Sequence, residues 1–226
     1  MTVPRLEVGM EAVDLVKYIF TNKQLTLLEV VKYVLEEKPH FAEAKKLNPK
    51  AKRTVSKALQ HTPDFRNPIV SFHNQDELID LTAILSRLRD VDQTAVQVTS
   101  YLDKPEEKIW VHEALSVVSR VRTEYGYCHI PLLDMDLPIA EASAAEAEEV
   151  ARGLGINSGA IVDSGKSYHF WGLDLLSENQ WRTFMYRALL LDRVDSRWIG
   201  HRLIDGHASL RISQKRGVAP TVVHIF

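Results

Sequence analysis

The chain has one cysteine, few glycines and prolines, and no long apolar run, and each shortage excludes a class of protein. The single cysteine, Cys128, excludes a disulfide framework within the chain and any zinc site built from several cysteines. Ten glycines and nine prolines beside 45% hydrophobic residues exclude collagen-like and largely disordered chains. No run approaches the roughly 20 apolar residues of a membrane-spanning helix, and the first residues lack a signal-peptide pattern. We therefore expect a folded, soluble, cytoplasmic protein without a membrane segment.

The net charge of −2 is small, but the charges are unevenly distributed. Residues 45–66 carry seven Lys or Arg against one Asp, and residues 182–226 carry eight against three. Residues 134–149 have several carboxylates and no Lys or Arg. The first basic stretch fits either a surface along a nucleic-acid backbone or a solvated helical face.

The first third of the chain has the spacing of helices. Thr26 and Glu29 have the spacing of a capping box, and Asn48-Pro49 begins a second, basic helix through Gln60. We therefore predict an α-helical N-terminal region over residues 1–68. The apolar residues at helical spacing behind the capping box are Leu25, Leu28, Val31, Val34 and Leu35.

Residues 69–226 alternate between strand and helix patterns, which predicts an α+β domain with helices packed on an antiparallel or mixed sheet. The turn-like stretch at 61–68 separates it from the N-terminal region. The predicted strands lie at 69–72, 95–102 and 128–137, with a pair within 160–176 and a β-rich tail over 194–226. The predicted helices begin at Asn74, Pro105, Ile139 and just after Ser177, and the second and third end near Glu124 and Leu154.

Two aspartates in Leu-Leu-Asp134-Met-Asp136-Leu are the sharpest chemical signal. Alternation in a strand places Asp134 and Asp136 on one face and the apolar residues on the other. Carboxylates this close repel each other, so a divalent cation or a proton is needed to neutralise them. Mg²⁺ and Mn²⁺ prefer such oxygen ligands. The alternative is a pair of strand-end aspartates that face solvent.

A second group of polar residues follows about one strand-helix-strand unit later. Ser167, His169 and Trp171 share a strand face, and Lys166 lies in the preceding turn. A hydroxyl, an imidazole and a cation suit hydrogen bonding to phosphate. A hydrogen-bonded packing role for His169 is the alternative.

The tail contributes Arg202 and Arg211 as cations, and three aspartates that follow apolar residues. Leu210 and Ile212 would face the core, so Arg211 would lie on the polar face, where bidentate phosphate contact is possible. An exposed strand with a solvated arginine is the other interpretation. The three aspartates are Asp192, Asp195 and Asp205.

The ordered set of Asp134-x-Asp136, Ser167-x-His169 and Val-Asp195 resembles the catalytic domain of the archaeo-eukaryotic primase superfamily, the primase-polymerases. The stretch from Asp195 to Pro220 is also similar to the end of the polymerase domains of bacterial end-joining ligases. The resemblance covers roughly residues 95–226. It implies that residues 69–226 form a primase-polymerase-like domain with an RRM-like sheet.

The resemblance further implies a nucleotidyltransferase that adds nucleotides from nucleoside triphosphates to a nucleic-acid template and primer. Asp134, Asp136 and Asp195 would hold two Mg²⁺ or Mn²⁺ ions, with Asp192 and Asp205 as competitors for the third position. The implied nucleotide contacts are Lys166, Ser167, His169, Arg202 and Arg211.

Two rival functions remain from the sequence. Many primases carry a zinc element of Cys and His, and a chain with one cysteine cannot build the usual one, which favours a non-catalytic nucleic-acid- or nucleotide-binding subunit. A glycosyltransferase would also use Asp-x-Asp, but the glycine-rich turn of a Rossmann-type first half is missing.

Overall fold

The computed structural model describes residues 5–37, 70–73, 95–96, 109–215 and 217–226, and these ranges confirm an α+β fold. The helices are α1 Ala12–Asn22, α2 Ala144–Gly153, α3 Glu178–Ala188 and α4 Ser196–Asp205. The strands are β1 Leu28–Glu37, β2 Val70–Phe72, β3 Ala95–Val96, β4 Ile109–Val118, β5 Arg120–Thr123, β6 Gly126–His129, β7 Leu132–Pro138, β8 Gly159–Asp163, β9 Ser167–Gly172, β10 Ser209–Arg211 and β11 Thr221–Ile225.

The first sheet is built around β4, the longest strand together with β1. Its order is β10-β4-β1-β2, β3 also pairs with β4, and all of these pairs are antiparallel. The register places Val30 opposite Val117, and both side chains are buried. Antiparallel pairing therefore joins the N-terminal segment directly to β4, whose paired residues lie 73 to 87 positions later in the chain.

The second sheet has the order β11-β8-β9-β7 and is also antiparallel. Leu133, Phe170 and Ile161 are cross-strand neighbours on one face, and all three are fully buried. Helix α2 packs on this sheet, and α1 lies against β11. One cluster of buried apolar side chains links the four helices and both sheets, so a single core supports the strands that carry the candidate site.

Three secondary-structure predictions were wrong. The predicted helix behind Thr26 is strand β1, because its Val-rich sequence finds a ten-residue partner in β4 that no local pattern reveals. The predicted helix from Pro105 to Glu124 is instead β4 and β5 over its described residues. Within the predicted β-rich tail, residues 196–205 form helix α4, which Gly206 ends in a left-handed conformation (φ 75°).

Other predictions were confirmed. Strand β2, the β8–β9 pair and helix α3 form where the sequence predicts them, and the Ser177–Gln180 capping box is present. Helix α2 begins later than predicted, at Ala144, because Ser143 and Glu146 form a capping box of their own. The predicted helices at 48–60 and 74–88, the boundary at 61–68 and most of the strand at 95–102 lie outside the described residues. The division into domains at 68/69 stays a prediction. Within the described ranges, no helix is long and apolar enough to cross a membrane.

A buried histidine connects the β5–β6 hairpin to α3. His129 Nδ1 lies 3.1 Å from Ser119 Oγ, and Nε2 lies 2.9 Å from Glu178 Oε2. Because Ser119 Oγ accepts from the Ala208 N–H at 2.9 Å, its own hydrogen donates to Nδ1, and Nε2–H donates to Glu178. Ser119 is fully buried, so this chain of hydrogen bonds is structural and not a nucleophile with its base.

The neutral state of His129 makes stability depend on pH. Burial lowers the pKa of His129 despite the opposing hydrogen bond from Glu178. Its contribution is therefore complete above the unfolded pKa near 6.5 and is lost as the pH falls. We expect the free energy of unfolding, measured by urea titration, to fall between pH 7 and 5 by at most about 1.4 kcal/mol per pH unit from this residue. Between pH 7 and 5 the wild type should therefore lose more stability, or gain less, than His129→Gln, and an equal change in the two proteins would contradict this assignment.

Candidate active site

Strand β7 presents the two predicted aspartates on one face. Leu133, Met135 and Leu137 are buried, whereas 31% of the Asp134 side chain is exposed and Asp136 is exposed. This alternation was predicted from the sequence. The apolar residues anchor the strand in the core, and the carboxylates project from its other face.

The pairing of β7 with β9 is irregular around these aspartates. Asp134 is opposite His169 and Pro138 is opposite Ser167, so β7 advances four positions where β9 advances two. The extra residues interrupt the regular pairing of β7 with β9 between Asp134 and Pro138. Asp134, His169 and Ser167 remain on the same side of the sheet because both steps are even.

The segment 193–195 pairs with the opposite edge of β7. Met135 and Val194 form an antiparallel bridge, with Asp136 N–H donating to Arg193 O at 3.0 Å and Asp195 N–H donating to Asp134 O at 3.1 Å. Met135 and Val194 are both buried, so the residues on either side of them project to the other face. The register thus sets Asp134 opposite Asp195, and Asp136 opposite Arg193.

Asp134 lies at the electrostatic centre of this arrangement. Burial, and after it the carboxylates of Asp195 and Asp136, raise the pKa of its carboxyl to about 7, while Lys166 and Arg211 act against the shift. Near neutral pH this group is therefore about half protonated. A cation beside it would favour the charged form.

His169 is a neutral imidazole beside Asp134. Its Nε2 lies 3.7 Å from Asp134 Oδ1, which is an ion-pair distance only if the ring is charged. Burial and the charge of Arg211 lower the pKa of His169 to about 3, so the ring is neutral and the contact is not a salt bridge. Its Nδ1 is buried and has no hydrogen-bond partner among the residues that the structure describes.

Arg211 is buried, and backbone carbonyls hold it in place. Its guanidinium donates to Ser213 O and to Ser164 O, each at 2.5 Å, which ties β10 to the β8–β9 turn. Its charge acts on Asp134 and His169. The structure therefore fixes this cation beside the acidic residues.

Two lysines complete a positive group around Arg211. Lys166 is exposed in the β8–β9 turn, where Gly165 has a left-handed backbone (φ 94°). Lys215 is half-buried, and burial, Arg211 and Lys166 lower its pKa while Asp134 raises it. Lys166, Arg211 and Lys215 are hereafter called the cation cluster. Lys215 was not among the predicted nucleotide contacts, and its only signal in the sequence was its position four residues after Arg211.

The structure does not bring every predicted residue to this place. Arg202 is buried in an ion pair with Asp205 at 3.0 Å and donates to Ser209 Oγ at 2.9 Å. Neither of these charges, nor that of Asp192, is among those that shift the pKa of Asp134. Trp171 shares the face of His169 but is fully buried, so it packs in the core.

The three aspartates of this site are chemically suited to bind a divalent cation. Asp134, Asp136 and Asp195 offer the hard oxygen ligands of Mg²⁺ and Mn²⁺ on one face. In the described ranges, however, no three His, Cys, Asp or Glu side chains already form a group that holds a metal ion. One reason is that Asp195 is the N-cap of α4, and its Oδ1 accepts from the Trp198 N–H at 2.9 Å.

Comparison with known proteins identifies a family for most of the described site. A family model described as archaeo-eukaryotic primase 1D-like matches residues 97–224, which is more than half of the chain. No curated protein and no solved structure was found to match. The matched range includes the three aspartates, His169 and the cation cluster. The chain therefore belongs to the archaeo-eukaryotic primase-like family, and its function is related to nucleic acid.

Proposed function

We propose that the protein is a metal-dependent nucleotidyltransferase that adds nucleotides from nucleoside triphosphates to a nucleic-acid strand. The observation that carries this proposal is the cross-strand pair of Asp134 and Asp195, with the charges of Asp136 and of the cation cluster acting at the same carboxyl group. Negative and positive groups side by side suit a metal-bound triphosphate, which carries both kinds of charge.

Asp134, Asp136 and Asp195 would hold two Mg²⁺ or Mn²⁺ ions. The backbone hydrogen bond between Asp195 and Asp134 already fixes the third residue beside the first, so only its side chain has to turn from the N-cap position. When bound, the ions would supply neutralising charge and would make a 3′-hydroxyl more acidic.

The remaining residues would bind and orient the nucleotide. Lys215 and Lys166 would pair with phosphate oxygens, and Arg211 would add a fixed positive charge behind them. The neutral His169 would hydrogen-bond the phosphate chain together with the Ser167 hydroxyl on the same face. The single cysteine is compatible with a non-catalytic subunit, but the comparison with known families does not favour that alternative.

Primer extension tests this proposal. With Mg²⁺ or Mn²⁺, the wild type should incorporate labelled nucleotide into a primed template, and Asp136→Ala should lower the rate at least about a hundredfold. Asp192→Ala is the matched control, because this exposed aspartate does not act on Asp134, and its rate should stay within about twofold. Equal rates for wild type and Asp136→Ala would reject the assignment and point to a contaminating polymerase.

A further inference from the structure

The β5–β6 hairpin exposes two tyrosines and two arginines on one small surface. Tyr125 is 92% exposed, the largest value for a large apolar side chain among the described residues, and Tyr127 is 52% exposed. Arg120 and Arg122 on the neighbouring strand are also exposed. Exposed aromatic rings clustered on a hairpin are costly in water, and such clusters mark sites of interaction.

The arginines lie over a tyrosine ring and not against a carboxylate. The Arg120 guanidinium is 4.4 Å from the Tyr127 ring centre, and that of Arg122 is 6.0 Å away. Neither arginine forms an ion pair with another described residue. Among the described residues, the half-buried Glu29 is affected by the charge of Arg120, and Glu124 lies at the tip of the hairpin.

The backbone holds this surface in one conformation. Thr123 Oγ1 donates to Gly126 O at 3.1 Å and accepts from the Tyr125 N–H at 3.2 Å, which closes the turn. Gly126 has a φ of 127°, a value that glycine adopts readily. On β5, the backbone N–H and C=O of Arg122 both hydrogen-bond to the backbone of Leu27, so the hairpin is fixed to the residue that precedes β1. A rigid display loses little conformational freedom when a ligand binds.

We propose that this hairpin binds single-stranded nucleic acid, with bases stacked on Tyr125 and Tyr127 and phosphates paired with Arg120 and Arg122. Aromatic faces accept any unpaired base, and guanidinium groups match phosphate in charge and geometry. A duplex offers its bases for stacking only at its ends. The inference rests on the proposed action on nucleic acid, but it does not require the acidic residues to be catalytic.

Fluorescence anisotropy with a labelled 12-nucleotide thymidine strand tests the proposal. The assay contains EDTA and no triphosphate, so its result is independent of catalysis. The wild type should bind the single strand more tightly than a duplex of equal length. The double variant Tyr125→Ala/Tyr127→Ala should weaken binding at least about tenfold, whereas Tyr125→Phe/Tyr127→Phe should stay within about twofold. Arg122→Gln should lower the slope of log Kd against log salt by about 0.7.

The controls show whether a loss of binding is specific to the hairpin surface. Tyr186→Ala removes another exposed tyrosine, on α3, and should leave binding unchanged. The hairpin variants should keep the wild-type Tm, and Mg²⁺ with a triphosphate should raise that Tm as in the wild type. The proposal is overturned if the wild type does not bind the strand, if the alanine double variant binds as tightly, or if Tyr186→Ala loses as much. Failure of primer extension with normal strand binding would reject only the catalytic proposal.

Discussion

Replacing Asp134 with asparagine should lower nucleotide incorporation about a thousandfold, and should at the same time stabilise the protein in EDTA. Asp134 carries the cost of burial and of two like-charged neighbours, as its pKa near 7 indicates. Removal of that charge relieves the repulsion, but it also removes the carboxylate that would hold a divalent ion. Loss of activity together with a gain in stability distinguishes a functional carboxylate from a merely structural one.

The gain in stability should depend on pH in a defined direction. Because folding raises the pKa of Asp134 from 3.8 to about 7, its contribution is complete below pH 3.8 and is lost as the pH rises through 7. The free energy of unfolding in EDTA should therefore fall over this range by at most about 4 kcal/mol from this group. Urea titrations at pH 5 and 8 measure the change, and Asp134→Asn should reduce it.

Divalent ions should stabilise the wild type but not Asp134→Asn. Mg²⁺ or Mn²⁺ with a nucleoside triphosphate should raise the Tm of the wild type and leave that of Asp134→Asn unchanged. Asp192→Asn is the matched control and should respond as the wild type does. An equal response of wild type and Asp134→Asn would contradict a metal site at this residue.

Lys215→Gln should raise the KM for the nucleoside triphosphate roughly ten- to a hundredfold, with a smaller effect on kcat. Lys215 is half-buried beside Arg211 and Lys166, so a phosphate chain would relieve repulsion among three cations. Lys23→Gln is the matched control and should leave the KM unchanged. Lys23 lies just after α1, with its Nζ 3.5 Å from Asp174 Oδ1.

The lowered pKa of Lys215 gives a second test of the same residue. Its ammonium loses the proton at a lower pH than an ordinary lysine, so the wild-type KM should rise on the alkaline side before pH 10.5. Arginine stays charged there, so Lys215→Arg should remove this dependence while it keeps most of the affinity. A KM that does not change in Lys215→Gln would exclude the lysine from the phosphate site.

The sequence predicted those parts of the site that depend on neighbours along one strand. The common face of Asp134 and Asp136 follows from alternation, and so does that of Ser167 and His169. Asp195 was chosen through the family resemblance, and the structure sets its backbone opposite Asp134. The role of each residue as a ligand stays a prediction.

The parts that the sequence missed depend on distant pairing. Arg193 lies opposite Asp136 only because of the register of the isolated β-bridge between Met135 and Val194. Lys215 comes close to Arg211 only because the turn that carries it packs there. Strand β1 was mistaken for a helix because its apolar spacing fits both periods, and β4 decides between them. The start of α4 was visible in the sequence, since Asp195 and Gly206 are good N-cap and C-cap residues, but Asp195 was interpreted only as a ligand.

β7 is an edge strand of its sheet, and this position has a consequence for self-association. An edge strand has unpaired backbone N–H and C=O groups to which a strand of another molecule can pair. Natural proteins often block such pairing with charged side chains. Here the bridge with 193–195 covers only the middle of β7, and Asp136 projects its charge beside it. We expect the carboxylates that would serve chemistry to hinder such strand addition at the same time.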